Sequence, residues 1–272
     1  MHDLAAWAKI WGVTVDRSLQ TESSEVGFGH RDGQPVVLKV IREPNDEWHS
    51  GAVLAAFGGR GTVRAIENAE GAVLLERLDP GTDLVALVKR GADAEATSII
   101  ASTIGAMSPD DAPSTAPTVH DWARGFSRYR ATGDTQISAR LVDAAETVYL
   151  HLCTSQRNPR LLHGDLQHYN ILFDHERGWL AIDPKGVVGE VEYEIGAAMR
   201  NPGELPELLT DPRIIDARLA GFSGALPLDR ERALGWTFAQ AVLSAIWGVE
   251  DGYAVGSDNV ALRLASVLHN RL

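Results

Sequence analysis

Asp165, Asn170 and Asp183 are the residues whose types and spacing carry the most chemistry in this chain. They lie in the run Leu161-Leu162-His163-Gly164-Asp165-Leu166-Gln167-His168-Tyr169-Asn170 and in Ile182-Asp183-Pro184. A carboxylate on a loop can take or orient the proton of an incoming hydroxyl. An amide oxygen and a second carboxylate are hard donors of the kind magnesium accepts. A base and two such ligands together suit phosphoryl transfer. Polar residues in a turn between strands would explain any one of them alone. The combination, bracketed by two strand-like runs, points to a site.

Asp165 and Asn170 keep the internal spacing of the H-R-D-x-x-x-x-N loop of kinases, with Gly164 where the Arg would stand. Asp183 follows a short apolar hairpin, where kinases carry the metal-binding Asp of D-F-G. His163 is better placed to hold this loop by hydrogen bonding than to act as base. Both ligands reach one metal if 171–174 and 178–182 pair as antiparallel strands around 175–177.

Lys39 sits inside the β-branched run Val36-Val37-Leu38-Lys39-Val40-Ile41, where a long cation is unexpected unless it enters a cleft. In a kinase arrangement such a Lys contacts the nucleotide phosphates and pairs with a Glu of the next helix. Glu47 is the preferred partner and Glu43 the alternative. No G-x-G-x-x-G or Walker pattern is present. Ser23, Ser24, Gly27 and Gly29 stand where a phosphate-covering loop would lie, and hydroxyls or amides can bind phosphate oxygens. Glu76 to Leu78 end the last strand before the break, where adenine would meet backbone groups, so ATP and GTP both remain open.

These residues need two kinds of scaffold. The first part reads as mixed β: a helix over 3–11, a strand over 13–19, and a hairpin at Asp32-Gly33 leading into 36–41. A helix is expected from Pro44 and the acidic 45–47 to Phe57, stopped by Gly58-Gly59. Strands at 63–66 and 72–76 flank a turn at 68–71. Pro80-Gly81 breaks the chain and divides it into 1–79 and 80–272. The second part is mainly helical, with helices over 92–107, 118–131, 137–153, 190–200, 212–222, 229–249 and 258–270. A composition-defined loop covers 108–117, and the sheet-like stretch 160–183 carries the opening motif.

A chain of 272 residues can bury one large or two small cores. Its net charge of −12 argues against nucleic-acid or anionic-membrane partners. The single Cys153 excludes an intramolecular disulfide framework and a Cys-based zinc site. No run reaches transmembrane length and no secretory signal opens the chain, so a cytoplasmic protein with access to ATP is expected. Glu190, Glu192, Glu194, Glu250 and Asp251 are candidates for binding a cationic or guanidinium-bearing substrate. An acidic helix start and a solvated loop are the plainer alternatives.

With these residues in view, the chain resembles the aminoglycoside phosphotransferases, most closely the branch of streptomycin 6-kinases and hydroxyurea phosphotransferases. The resemblance rests on His163-Gly164-Asp165-Leu166-Gln167-His168-Tyr169-Asn170-Ile171 and on Arg177-Gly178-Trp179-Leu180-Ala181-Ile182-Asp183-Pro184-Lys185-Gly186-Val187-Val188-Gly189-Glu190. Asn201-Pro202 and 243–247 add to it. Gln167 departs from the H-H pair common in that branch.

The resemblance implies an α+β, protein-kinase-like fold, with a small β-rich lobe over a larger helical one. It implies Asp165 as base, Asn170 and Asp183 on magnesium, and Lys39 on the phosphates of ATP. The expected activity is O-phosphorylation of a hydroxyl on a streptomycin-type aminoglycoside, inactivating it. A metabolic kinase of an amino sugar, choline-like alcohol or hydroxyurea-like acceptor is the alternative, and a non-catalytic nucleotide-binding module a further one.

Overall fold

The computed structural model describes residues 3–107, 109 and 111–272. The chain opens on α1 (Leu4–Ile10), capped by the Asp3 carboxylate, which accepts the Ala5 N–H. Three strands follow, β1 (Thr14–Gln20), β2 (Ser24–Arg31) and β3 (Gln34–Ile41). Then come α2 (Ser50–Phe57), β4 (Ala65–Ala69) and β5 (Ala72–Glu76). The five strands make one antiparallel sheet in the order β1-β2-β3-β5-β4.

Alternation along β3 gives this sheet two different faces. Val36, Leu38 and Val40 are buried against Leu4 and Ala8 of α1. Val37 and Lys39 point to the opposite face, which borders a cleft. Gly29 lets β1 and β2 approach, since a Cβ there would lie 1.9 Å from the Thr14 carbonyl oxygen.

The helix expected from 45 begins only at Ser50. The Asn45 side-chain oxygen takes the Glu47 N–H, and this local turn holds 45–47 out of the helix. α2 closes at Gly58, whose φ of 58° is the left-handed C-terminal stop.

After Glu76 the chain leaves the sheet. β6 (Pro80–Asp83) pairs with β8 (Ile171–Asp174), which pairs with β9 (Gly178–Ala181), in a second sheet of order β6-β8-β9. β7 (Arg160–Leu162) pairs with β10 (Val187–Gly189). Around these pack α3 (Val85–Lys89), α4 (Asp93–Ala106), α5 (Val119–Trp122), α6 (Arg124–Thr132) and α7 (Ala139–Thr154). α8 (Val191–Met199), α9 (Pro206–Thr210), α10 (Pro212–Ala225), α11 (Arg230–Glu250) and α12 (Val260–His269) complete the helical part.

Fully buried Trp236, Phe238 and Val242 of α11 sit in the large core that α7, α8 and α12 share. Val53 and Phe57 of α2 enter that same core, so α2 ties the five-stranded sheet to the helical part. The architecture is α+β in two lobes, as expected. The helix read over 118–131 is split at Ala123 into α5 and α6. Of the 108–117 loop, Ser108 and Asp110 lie outside the described residues.

Candidate active site

β7 delivers the loop that follows it, and β10 supports that loop. The His163 carbonyl accepts the Lys185 and Gly186 N–H groups, both at 3.0 Å. The His163 ring is fully buried. Its Nε2 meets the Ile182 carbonyl at 2.7 Å, and its Nδ1 receives the Asp165 N–H at 3.3 Å. That pairing defines a neutral ring protonated on Nε2. Burial pushes its pKa down to about 4. His163 therefore holds the loop, as the sequence suggested.

Glu194 does the same from α8. Its carboxylate accepts the His163 N–H at 2.6 Å and the Gly164 N–H at 3.0 Å. Burial drives its pKa up to about 7, against the pull of those two donors. Gly164 is required at its position, because its φ is 83° and a Cβ would meet the Trp122 ring at 2.9 Å.

The paired strands β8 and β9 bring Asn170 and Asp183 together. Ile171 faces Ala181 in register, and the Ile182 N–H donates to the Asn170 carbonyl at 2.9 Å. Asn170 Nδ2 donates to the Asp165 carbonyl at 2.9 Å and lies 3.5 Å from Asp165 Oδ2. The Asn170 side-chain oxygen has no hydrogen bond among the described residues. Asp183 has a φ of 54°, a left-handed backbone that is strained for a non-glycine residue.

Asp183 Oδ1 stands 2.9 Å from Lys39 Nζ, and Glu47 Oε2 is also 2.9 Å from it. Burial acts to lower the Lys39 pKa, but Asp183 and Glu47 outweigh it and raise the value. Glu47 rather than Glu43 is thus the partner of Lys39. Burial raises the Asp165 pKa, opposed by the charges of Lys185 and Arg200. The Arg200 guanidinium is 3.7 Å from Asp165.

Two cavities flank this cluster. The smaller, of about 390 Å³, has Val26, Val37 and Leu75 on one side, Leu172 and Ile182 on the other, and Lys39 with Asp183 at one end. Leu78 borders it, and so does Glu76, whose carboxylate is held by the Arg64 N–H and by Arg177. Ser23 Oγ lies 3.5 Å from Glu47. Ser24 corrects the expectation of a phosphate-binding hydroxyl. It is 1% exposed and its Oγ is 2.8 Å from Thr21 Oγ1, so it shapes the turn from within.

The larger cavity, of about 870 Å³, lies between the 20–24 turn and the region after β3 on one side and α5, α6 and the end of α11 on the other. Glu22, Glu43, Asp46, Asp121, Glu250 and Asp251 border it, against Arg42, Arg128 and Lys185. Glu250 is engaged by Arg128 at 2.9 Å, and Lys185 by Asp46 at 2.6 Å. The Tyr253 hydroxyl bonds Glu22, joining the turn to the segment after α11.

Glu190, Glu192 and Glu194 do not border it. Glu190 is fully buried, bonded to the Trp236 indole at 2.6 Å, to the Arg157 N–H at 2.8 Å and to Arg232. Glu192 accepts the Asp229 N–H at 3.1 Å, and Glu194 holds the loop. Burial and these bonds correct their assignment to substrate binding. Trp122 and Arg200 escaped the sequence reading, and Lys185 and Trp247 entered it only within runs that carry the resemblance, because nothing local distinguishes them from packing or surface residues.

A β-rich lobe over a helical lobe, with a Lys–Glu pair above and an Asp–Asn loop below, defines the protein-kinase-like class. A thermostable mutant of an aminoglycoside phosphotransferase, solved with ADP and hygromycin B, shares the fold at a TM-score of 0.68 and 15% identity, over 99% of this chain and 98% of that one. The chain belongs to the family described as aminoglycoside/hydroxyurea antibiotic resistance kinase, which it matches over residues 11–252. It is 34% identical to streptomycin 3''-kinase of Klebsiella pneumoniae, over 89% of this chain and 91% of that one. It is 33% identical to hydroxyurea phosphotransferase of Kitasatospora aureofaciens over 81% of its own length, spanning 64% of that relative.

Proposed function

We propose that this protein is an ATP- and magnesium-dependent O-phosphotransferase whose acceptor is a streptomycin-type aminoglycoside. The size and charge of the larger cavity carry the reading. It offers about 870 Å³ and six carboxylates against three cations. Such a space suits a bulky polycation and would leave a molecule as small as hydroxyurea mostly surrounded by water. The relatives named for streptomycin and for hydroxyurea are almost equally similar in sequence, so the support for the larger, cationic acceptor comes from the cavity.

In this reading residues 1–79 form the nucleotide lobe and 80–272 the acceptor lobe. Adenine lies between Val26 and Val37 above and Leu172 and Ile182 below, meeting backbone groups near Leu78. Lys39, fixed by Glu47, reaches the phosphates. Asn170 and Asp183 fit a magnesium ion, because each offers an oxygen, the amide nitrogen of Asn170 is already spent on Asp165, and phosphates and water would complete six ligands. When bound, the ion neutralises charge on the transferring phosphate. Asp165 receives the hydroxyl proton, and Arg200 stabilises its ionised form. His163 and Glu194 hold the Asp165 backbone in place.

No helix among the described residues is long and apolar enough to cross a membrane. A cytoplasmic location, where ATP is available, fits this activity. The test is ATP consumption with streptomycin, other aminoglycosides, hydroxyurea, amino sugars and choline-like alcohols. Stimulation by streptomycin-type acceptors is expected. Stimulation by hydroxyurea or a choline-like alcohol alone would replace this reading with the metabolic one. Magnesium-dependent ATP binding without turnover on any acceptor would leave a binding module.

A further inference from the structure

The turn between β1 and β2 contains no glycine, and none of its residues has a left-handed backbone. It is held instead by one side chain. Arg42, just past the end of β3, donates from Nη2 to the carbonyls of Thr21 and Glu22. Its Nη1 donates to the Gln20 side chain at 2.6 Å and to the Ser24 carbonyl at 3.3 Å. Its own backbone N–H takes the Ser23 carbonyl at 3.0 Å. Four consecutive carbonyls thus converge on a single arginine.

In a trans peptide the C=O of one residue and the N–H of the next point in opposite directions. Turning the Thr21 and Glu22 carbonyls toward the guanidinium therefore turns the Glu22 and Ser23 N–H groups away from it. Neither N–H has a hydrogen-bond partner among the described residues. The next N–H, of Ser24, is taken by Thr21 Oγ1 at 3.0 Å. The turn lies beside the Lys39 end of the cleft: Ser23 Oγ is 3.5 Å from Glu47 Oε2, which is 2.9 Å from Lys39 Nζ. Consecutive free amides of this kind form an anion-binding nest.

We infer that Arg42 is the positioning residue of the nucleotide phosphates, gathering the turn's carbonyls so that the Glu22 and Ser23 amides face the terminal phosphates of ATP. A glycine-rich loop reaches such a shape through backbone freedom. This turn reaches it through one guanidinium, which also cancels the negative ends of carbonyl dipoles that would repel phosphate. The inference rests on the phosphotransferase reading and deepens its nucleotide half.

The experiment compares the full chain with Arg42→Ala and Arg42→Lys, using AMP-PNP with magnesium and, as a phosphate-free probe, adenosine in competition. Arg42→Ala is expected to weaken AMP-PNP about tenfold to a hundredfold while adenosine changes less than about twofold. Arg42→Lys, with fewer donors and no fork, falls between. Millimolar guanidinium restores part of the loss in Arg42→Ala, which a general unfolding defect would not allow. Equal weakening of both probes, or of neither, overturns the inference, and if Arg42→Ala fails to fold the same comparison is made on Arg42→Lys. Failure of the unaltered chain to bind AMP-PNP would instead sink the phosphotransferase reading, separating the two.

Discussion

Lys39 and Asp183 meet at 2.9 Å across the cleft, one from β3 of the upper lobe and the other just beyond β9 in the lower. The pair joins the two lobes at the cleft. Glu47 on the other side of Lys39 makes the ammonium the centre of two carboxylates. A phosphate entering between Lys39 and Asp183 would exchange one anionic partner of Lys39 for another, freeing Asp183 for a metal.

Lys39→Met leaves Glu47 and Asp183 without their shared cation. We expect kcat/KM for ATP to drop about a hundredfold or more, with the fold kept. Steady-state kinetics with a saturating acceptor checks it. A loss below about fivefold would remove Lys39 from the phosphate site.

Asp165→Asn preserves shape and removes the carboxylate proposed as the base. Turnover should fall about a hundredfold to ten-thousandfold, with AMP-PNP binding little changed. Calorimetric titration of AMP-PNP beside a turnover assay separates the two effects. Turnover near that of the unaltered enzyme would reassign the base.

Stability should depend on pH through buried groups of opposite sign, the histidines His163 and His168 on one side and Glu194 on the other. His168 is buried with neither ring nitrogen hydrogen-bonded among the described residues, and burial, aided by Arg218, pushes its pKa from 6.5 down to about 3. As pH falls below 6.5 the unfolded chain binds a proton that the folded chain refuses, so His168 costs stability in acid. Glu194 behaves inversely. Its folded pKa of about 7 lies above 4.5, so the folded chain keeps a proton that the unfolded chain has lost, and stability falls as pH rises from 4.5 to 7. Denaturant melts from pH 4 to 8 should show the unaltered chain losing ground to His168→Leu toward acid and to Glu194→Gln toward neutrality. Each slope is bounded by about 1.4 kcal/mol per pH unit. Parallel curves would mean that neither group titrates as its burial implies.

Glu190 and Asp251, alike in sequence, should behave differently. Glu190→Ala strands Arg232 and the Trp236 indole in the core, and we expect a stability loss of about 3–5 kcal/mol without a rise in acceptor KM specific to that site. Asp251→Asn should raise the acceptor KM and leave both stability and the KM for ATP nearly unchanged. Thermal melts paired with acceptor kinetics check both. A KM effect from Glu190 with intact stability would return it to the substrate site.

The fold was legible where the local pattern was strong. The apolar alternation around Lys39 gives a strand, and the Asp32-Gly33 turn fixes its hairpin with β2. β6 and β10 were not legible, because strands of four and three residues carry too little periodicity and exist only through their pairing with β8 and β7. The start of α2 was misread because the Asn45 side chain competes with the helix for the Glu47 N–H.

By itself the sequence picked out the residues that meet at the centre: a carboxylate, an amide and a second carboxylate at fixed spacing, with one lysine in an apolar strand. Those identities are local and survive any description of the chain. Tertiary structure alone decided which acids border a cavity and which are buried. Glu190, Glu192 and Glu194 look the same in sequence as Glu250 and Asp251, yet buried donors claim the first three, while the last two border a cavity. A carboxylate's role depends on what desolvates it and what donates to it, and residues distant in the chain supply both.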